Sequence, residues 1–123
     1  RQLEYSQRLK QRARNVMTTV EGQSTGRSLY ENALRGGAQA LGADVGAIQT
    51  GCRADIVVLD SGHPELAGAV GDMVLDVYVF SAGVGLIDRV IAGGVPVVAA
   101  GRHRAHDQVA ERYRRTVARL AQS

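Results

Sequence analysis

The first segment of the chain has the apolar spacing of an amphipathic helix. From Leu3 to about Val20, apolar residues recur every three or four positions and polar residues occupy the flanks. This spacing gathers the apolar side chains on one face of a helix. The segment is therefore predicted to be helical, with a face that needs a partner; the face comprises Leu9, Ala13, Val16, Met17 and Val20.

A second helix is predicted to begin at Ser28. The Ser28-x-x-Glu31 spacing is that of a capping box, in which the hydroxyl and the carboxylate each bind a backbone amide at a helix start. The helix is expected to break near Gly36-Gly37, because glycine suits a C-cap with positive φ. A further helical turn is expected through residues 38–41, ending at Gly42.

Beyond the second helix, the pattern changes to short β-rich pieces separated by glycine. Residues 54–60 contain apolar residues at consecutive rather than alternate positions, which predicts a central strand covered on both faces. Residues 86–91 and 95–99 flank Gly93-Gly94, so a β-hairpin is predicted at 86–99. Pro96 cannot donate an amide to a ladder, so the second arm is expected to be an edge strand or to begin beside a bulge.

Two more helices complete the predicted elements. Residues 72–80 are ambiguous between helix and strand by periodicity, and a short helix is preferred. A closing helix carries one apolar stripe, and a Glu111–Arg115 pair on it would add only about 0.2–0.5 kcal/mol, so packing must hold this helix in place. The fold class predicted is α+β. The stripe comprises Val109, Tyr113, Val117 and Leu120.

Composition limits the class of protein. With 123 residues, 45% of them hydrophobic, the chain fits one ordinary domain. A single cysteine, Cys52, cannot form an internal disulfide, so a cytoplasmic location is expected. No apolar stretch approaches the roughly 20 residues of a membrane helix, so no membrane partner is expected. The chain opens on Arg1 rather than Met and already looks helical there, as a fragment would.

The net charge of +3 and the pI of about 9.5 raise the question of nucleic-acid binding. On the first helix, the pairs Arg8/Arg12 and Lys10/Arg14 occupy two separate flanks, which spreads the charge. Aromatic stacking platforms and a recognisable reading motif are both missing. We therefore expect no nucleic-acid partner, although a basic interaction module remains an alternative that predicts salt-sensitive retention of DNA or RNA.

Two of the three histidines are spaced as candidate metal ligands. His103-x-x-His106 followed by Asp107 could offer two imidazoles and a carboxylate to a divalent cation. The neighbouring Arg102 and Arg104 create a field that repels cations, which disfavours a metal site. His63 precedes a proline in a loop and is interpreted as a turn residue.

The other candidate residues for catalysis or ligand binding are better interpreted as structural residues. Cys52 lies in a glycine-flanked turn without a neighbouring histidine, and the glycine-rich stretches 22–26 and 83–85 lack the context of a phosphate-binding loop. No catalytic, cofactor-binding or metal residue is assigned. Five aspartates are each interpreted as capping a turn or a helix end: Asp55, Asp60, Asp72, Asp76 and Asp88.

Several motifs resemble those of the amidohydrolase superfamily. Residues 51–60, with the sequence Gly-Cys-Arg-Ala-Asp followed by an apolar run, resemble the superfamily's signature after its barrel. Residues 90–98 and Gly101-Arg102-His103 are similar to its closing hairpin. Within the superfamily, the chain most resembles the formimidoylglutamate deiminase family, on motifs that span nearly its whole length: residues 3–9, 14–16, 25–29, 36–42 and 63–68.

The resemblance implies a parent enzyme with a (β/α)8 barrel. Such a barrel holds a divalent metal, usually zinc, through a His-x-His pair, two later histidines and an aspartate, and the metal-activated water deaminates N-formimino-L-glutamate. All those positions would lie upstream, so none maps onto a residue of this chain. We therefore expect an inactive C-terminal fragment that lacks its barrel and self-associates through exposed helix faces.

The resemblance also implies a division of the chain. Residues 1–42 would form the last barrel-side helices, 43–104 the C-terminal strands of a composite β-sandwich in a short mixed sheet, and 105–123 a C-terminal amphipathic helix. Other amidohydrolases remain alternatives, with a guanine deaminase-like, imidazolonepropionase-like or chlorohydrolase-like activity.

Overall fold

The structure, a computed structural model, describes residues 1–13, 16, 18 and 22–122. Helices and strands are both present, with the strands in one sheet, which confirms the α+β class. The helices are α1 (Gln2–Gln11), α2 (Thr25–Leu41), α3 (Met73–Phe80) and α4 (His106–Leu120). The strands are β1 (Ile56–Leu59), β2 (Ile87–Ala92), β3 (Val95–Ala99) and β4 (Arg102–His103).

Helix α1 is shorter than predicted. It ends at Gln11 because Arg12 adopts a left-handed conformation with φ of 50°, which an α-helix cannot accommodate. The prediction of a helix to about Val20 is therefore wrong for the residues just after Gln11. Met17 and Val20, which the predicted apolar face included, lie outside the described residues.

Helix α2 begins before the predicted capping box. Its N-cap is Ser24, whose side chain accepts a hydrogen bond from the backbone amide of Arg27 at 3.0 Å. Ser28 lies inside the first turn and donates its hydroxyl to the Ser24 carbonyl at 3.1 Å, so the prediction that Ser28 caps the helix is wrong. The helix ends at Gly42 with φ of 58°, as predicted.

The predicted break at Gly36-Gly37 does not occur, and α2 runs through both glycines. A glycine inside a helix costs about 1 kcal/mol relative to alanine, which weakens a helix without breaking it when both ends are well capped. The second cap is at Gly42, whose amide donates to the carbonyl groups of Ala38 and Gln39. Both glycines face open space.

The four strands form one antiparallel sheet in the order β1-β2-β3-β4. The expected mixed sheet is therefore wrong, because every neighbouring pair runs antiparallel. Strand β1 is also not central: among the described residues it pairs with β2 alone, and Val57 and Val58 are 41% and 37% exposed. Its consecutive apolar residues place apolar side chains on both faces of the strand. The rest of the described chain does not bury both of these faces.

The hairpin prediction is confirmed. Strands β2 and β3 are joined by Gly93 and Gly94, with φ of 58° and 79°, which the primed turns of hairpins require. The prediction for Pro96 is confirmed as well. Val90 pairs with Val98 whereas Ile91 pairs with Pro96, so the register shifts by one residue beside the proline.

The short helix predicted at 72–80 and the closing helix are confirmed as α3 and α4. The described core is small, since Leu66 and Leu86 are its buried apolar side chains. The apolar stripe of α4 is exposed, so packing of that stripe does not hold the helix in place within the described part of the chain. Among the described helices, none combines the length and the apolar character needed to cross a membrane.

Candidate functional site

A cluster of polar contacts lies where α2 begins against α3. Asp76 of α3 accepts hydrogen bonds from the Gly26 amide at 2.7 Å and from the Ser24 hydroxyl at 2.9 Å. A carboxylate is favoured at this position, because the first amides of a helix lack intrahelical acceptors and carry partial positive charge. Ser24 and Asp76 therefore cap α2 together, and we call Ser24, Gly26 and Asp76 the cap cluster.

Gly26 allows this close approach. A Cβ atom at Gly26 would lie 2.6 Å from the backbone nitrogen of Asp76 and 2.6 Å from the carbonyl oxygen of Leu75. Any side chain there would force the backbones of α2 and α3 apart. Away from the cluster, Tyr30 and Tyr78 also connect the two helices, in an edge-to-face contact with ring centroids 6.2 Å apart.

Arg27 forms a second bridge between α2 and the start of α3. Its guanidinium donates to Glu31 at 2.8 Å and to Asp72 at 2.6 Å. The hydrogen bonds to Glu31 and then to Asp72 raise the pKa of Arg27 above its ordinary value, so it stays charged. All three side chains are about two-fifths exposed, so water screens the pairing and limits its contribution to stability.

Helix α1 joins this region through an ion pair whose acid is buried and whose base is partly exposed. Glu4 is fully buried, accepts a hydrogen bond from Arg8 Nε at 2.6 Å, and accepts another from the backbone amide of Val16 at 3.2 Å. The Arg8 guanidinium lies 5.4 Å from the ring centroid of Phe80 in α3, within the range of a cation–π contact. Arg8 therefore connects α1 to α3, and Glu4 connects α1 to the chain that follows it at Val16.

An open cavity of about 480 Å³ lies between these groups, lined by Arg8, Ser24, Asp72, Asp76 and Phe80 among others. Each charged side chain on this wall has a partner: Arg8 binds Glu4, Asp72 binds Arg27, and Asp76 binds the amide of Gly26. The arrangement joins three helices, and its carboxylates accept hydrogen bonds in structural roles.

The structure places the metal candidates on the surface where β4 leads into α4. His103 Nδ1 accepts from the Ala105 amide at 3.1 Å, and Asp107 forms an ion pair with Arg102. His106 Nδ1 lies 3.4 Å from Asp107 Oδ1. In the part of the chain that the structure describes, no group of three or more histidine, cysteine and acidic side chains could hold a metal ion. These residues do not fit the divalent metal that the amidohydrolase resemblance implies.

The other candidates are dispersed along the chain. His63 precedes a short 3-10 turn and accepts a hydrogen bond from the Glu65 amide at 3.3 Å, which confirms it as a turn residue. Cys52 is a half-buried thiol in the turn before β1. Residues 22–24 precede α2 and residues 25–26 begin it, and residues 83–85 lie in a second 3-10 turn before β2.

The capping interpretation holds for three of the five aspartates. Asp55 accepts from the Gly93 amide at 2.7 Å, Asp60 accepts from the Gly62 amide at 2.9 Å, and Asp76 caps α2. For Asp72 and Asp88 it is wrong. Asp72 makes no side-chain cap to α3 because its carboxylate binds Arg27, and Asp88 pairs with the adjacent Arg89 at 3.0 Å.

Sequence reasoning missed the cap cluster and the ion pair between Arg8 and the buried Glu4. Asp76 and Gly26 are 50 positions apart, so no local spacing signals their contact. Glu4 and Arg8 are four positions apart on a predicted helix, which is the spacing of a paired acid and base. That pair could have been found from the sequence, although its burial could not.

No protein-family model matches the chain. The chain is 42% identical, over 113 residues, to the formimidoylglutamate deiminase of Pseudomonas aeruginosa. The match covers 92% of this chain and 25% of the deiminase, in its C-terminal part.

A similar result comes from solved structures. The crystal structure of an amidohydrolase from Brucella melitensis superposes on this chain with a TM-score of 0.81 and 40% sequence identity. The match covers 98% of this chain and 26% of the Brucella chain. The chain therefore spans about a quarter of the length of each protein that it matches. Over nearly its whole length, this chain is related in sequence and in fold to the amidohydrolases.

Proposed function

We propose that the chain is the C-terminal part of a hydrolase of the amidohydrolase superfamily that acts on non-peptide C–N bonds. The observation that carries this proposal is the 42% identity to a formimidoylglutamate deiminase over 92% of the chain. The TM-score of 0.81 against an amidohydrolase supports it, because that match extends over 98% of the chain.

The substrate we propose is N-formimino-L-glutamate. Water would add to the formimino carbon, the C–N bond to the departing nitrogen would break, and the products would be N-formyl-L-glutamate and ammonia. The matched deiminase supports this choice. The reaction would belong to histidine degradation in the cytoplasm.

The catalytic cation of this hydrolase, which the resemblance implies to be zinc, would be held by residues outside the present chain. The described side chains that could have contributed already serve the fold: Asp55 and Asp76 cap backbone amides, and Asp107 pairs with Arg102. We therefore propose that the isolated chain has no deaminase activity.

Three regions of the proposed hydrolase can be assigned on this chain. Residues 1–42 would be the last barrel-side helices, residues 43–104 would be C-terminal strands of a β-sandwich, and residues 105–123 would be the terminal helix. The exposed valines of β1 support the second assignment, because such a strand suits further cover. Exposed Leu3, Leu9 and Leu41 on α1 and α2 support the first, and they would drive self-association of the isolated chain.

A chimeric enzyme tests the family assignment. The chain would replace the matching C-terminal quarter of the Pseudomonas deiminase, and ammonia release from N-formimino-L-glutamate would be measured. We expect turnover within about tenfold of the parent enzyme, because the two segments are 42% identical in sequence; tenfold corresponds to about 1.4 kcal/mol in the barrier. The matched control is the deiminase truncated before that quarter, which should be inactive.

Two results would contradict these proposals. A folded chimera without turnover would mean that the chain cannot serve as this segment of the deiminase. Ammonia release by the isolated chain above the blank would mean that it holds catalytic residues of its own. The substrate is tested on the complete protein that the gene encodes, for which faster hydrolysis of guanine than of N-formimino-L-glutamate would favour the guanine deaminase-like alternative.

A further inference from the structure

The proposed function leaves the exposed apolar face of α4 without a role. We call it the α4 stripe, and its residues are 61%, 68%, 43% and 70% exposed in chain order. The stripe runs along a helix of 15 residues, so it extends over most of the helix length. Its members are Val109, Tyr113, Val117 and Leu120.

Besides its own backbone hydrogen bonds, the described part of α4 has exposed ion pairs to stabilise it, and each such pair contributes about 0–1 kcal/mol. Its N-cap is Ala105, which makes no side-chain cap, and such a residue leaves the first amides of the helix without the acceptor that serine or aspartate would supply. A helix of this length is marginal in water unless an apolar face is packed against something. The stripe is therefore the part of α4 through which a partner would hold the helix in place.

Arginines border the α4 stripe on both sides. With about 100° of rotation per residue, Arg112 and Arg119 lie along one border and Arg114 lies along the other. Glu111 and Arg115 lie on the opposite face, where Arg115 Nε donates to Glu111 at 2.8 Å. A surface that covers the stripe would therefore meet positive charge at both of its edges.

We propose that the α4 stripe docks into an apolar groove with a carboxylate-lined rim on the remaining part of the same hydrolase. This inference rests on the proposed function. The matched relatives are about four times as long as the chain, so a large partner surface would be available within one polypeptide. Carboxylates at the rim would match the arginine borders.

The arginine borders disfavour a second copy of the chain as the partner. Two α4 helices packed antiparallel about a two-fold axis would place the Arg112 and Arg119 border against its own copy. Two parallel helices would place that border against Arg114. Either arrangement brings like charges together, which is unfavourable across an interface.

A membrane surface fits less well than a protein groove. Interfacial helices usually anchor through tryptophan, phenylalanine and several leucines, and their polar faces are rich in lysine and arginine. The α4 stripe has one tyrosine and one leucine, and Asp107 and Glu111 reduce the positive charge of the helix. A protein groove therefore matches the α4 stripe better than a membrane surface does.

Amide hydrogen exchange of α4 tests the proposal. The exchange rates of residues 109–120 would be measured in the isolated chain at low concentration and in the chimera with the Pseudomonas deiminase. We expect the chimera to slow exchange at least about tenfold, because docking couples opening of the helix to loss of the interface. Trypsin cleavage after the α4 arginines should slow in parallel.

Matched double variants in the chimera assign the protection to the stripe. Tyr113→Ala with Val117→Ala removes apolar contacts and should restore most of the fast exchange. Glu111→Ala with Arg115→Ala removes a surface pair from the opposite face and should change exchange less than about twofold. Equal effects of the two variants would overturn the assignment.

The remaining outcomes separate this inference from the proposed function. A folded chimera whose α4 exchanges as fast as in the isolated chain would overturn the docking proposal alone, whatever its deaminase activity. Slow exchange without turnover would leave docking supported and count against the proposed function, and a chimera that does not fold would count against both. The proposal would also be overturned if α4 of the isolated chain were protected by raised protein concentration or by phosphatidylglycerol vesicles.

Discussion

The carboxylate of Asp76 accepts a hydrogen bond from the backbone amide of Gly26 at 2.7 Å, and the two residues are 50 positions apart in the sequence. A tertiary contact thus completes the cap that Ser24 begins within its own helix. The start of α2 and the position of α3 are therefore coupled, because moving either helix would leave amides of the first turn without their acceptor.

Replacement of Asp76 by alanine should lower the free energy of unfolding by about 1–3 kcal/mol, since a hydrogen bond to a charged acceptor is lost and the Gly26 amide stays unpaired. Urea unfolding followed by circular dichroism measures the change. Asp88→Ala is the control, and its exposed pair with Arg89 should contribute less than about 1 kcal/mol. Equal losses in both variants would contradict the capping role.

Glycine-to-alanine substitutions in α2 should have opposite effects at two positions. Gly26→Ala should destabilise the chain by more than about 1 kcal/mol, because the new Cβ would meet backbone atoms of α3 at 2.6 Å. Gly36→Ala should stabilise it by about 0.5–1 kcal/mol, because that position faces open space inside a helix. Thermal unfolding distinguishes the two. A stabilising Gly26→Ala would disprove the close approach of α2 and α3.

Removal of the Asp55 carboxylate should loosen the β2–β3 hairpin. Asp55 accepts the Gly93 amide at 2.7 Å, and the Ala54 carbonyl accepts the Gly94 amide at 2.9 Å. Asp55→Ala should therefore speed exchange of the Gly93 amide by about tenfold, which corresponds to the loss of about 1.4 kcal/mol of local stability. Asp60→Ala, which removes a cap from another turn, should leave Gly93 unchanged; if it speeds Gly93 equally, the effect is not local to the turn.

Zinc titration of the isolated chain should show no stoichiometric binding. His103 accepts a backbone amide and Asp107 pairs with Arg102, so the surface candidates are engaged and surrounded by positive charge. Isothermal titration calorimetry measures the binding. One equivalent of zinc bound by the chain, and lost in a variant with both His103→Ala and His106→Ala, would show that these residues form a site.

The sequence predictions succeeded where the structure depends on local interactions, and they failed where it depends on contacts between residues far apart in the chain. The hairpin turn at Gly93-Gly94 and the helix end at Gly42 were predictable, because positive φ is a local requirement that glycine meets. The start of α2 was not, because the choice between Ser24 and Ser28 depends on Asp76, which lies far along the chain. Of the candidate site, only the Glu4–Arg8 spacing was visible beforehand.

Strand β1 illustrates a different reason for error. Its apolar run correctly indicated a strand, but the predicted cover on both faces depends on which neighbours are present. In the described chain, Val57 and Val58 remain more than a third exposed. An apolar run in the sequence therefore indicates that a strand could be buried. It does not indicate whether the described residues bury it.

The side of β1 away from β2, where no described strand pairs with it, has a practical consequence for handling the chain. Its backbone groups on that side offer a template on which a strand from another molecule can add, and exposed valines beside it favour such addition. Concentrated preparations of the segment should consequently precipitate through intermolecular β-pairing. A single lysine in place of Val57 would discourage that growth at the sheet margin.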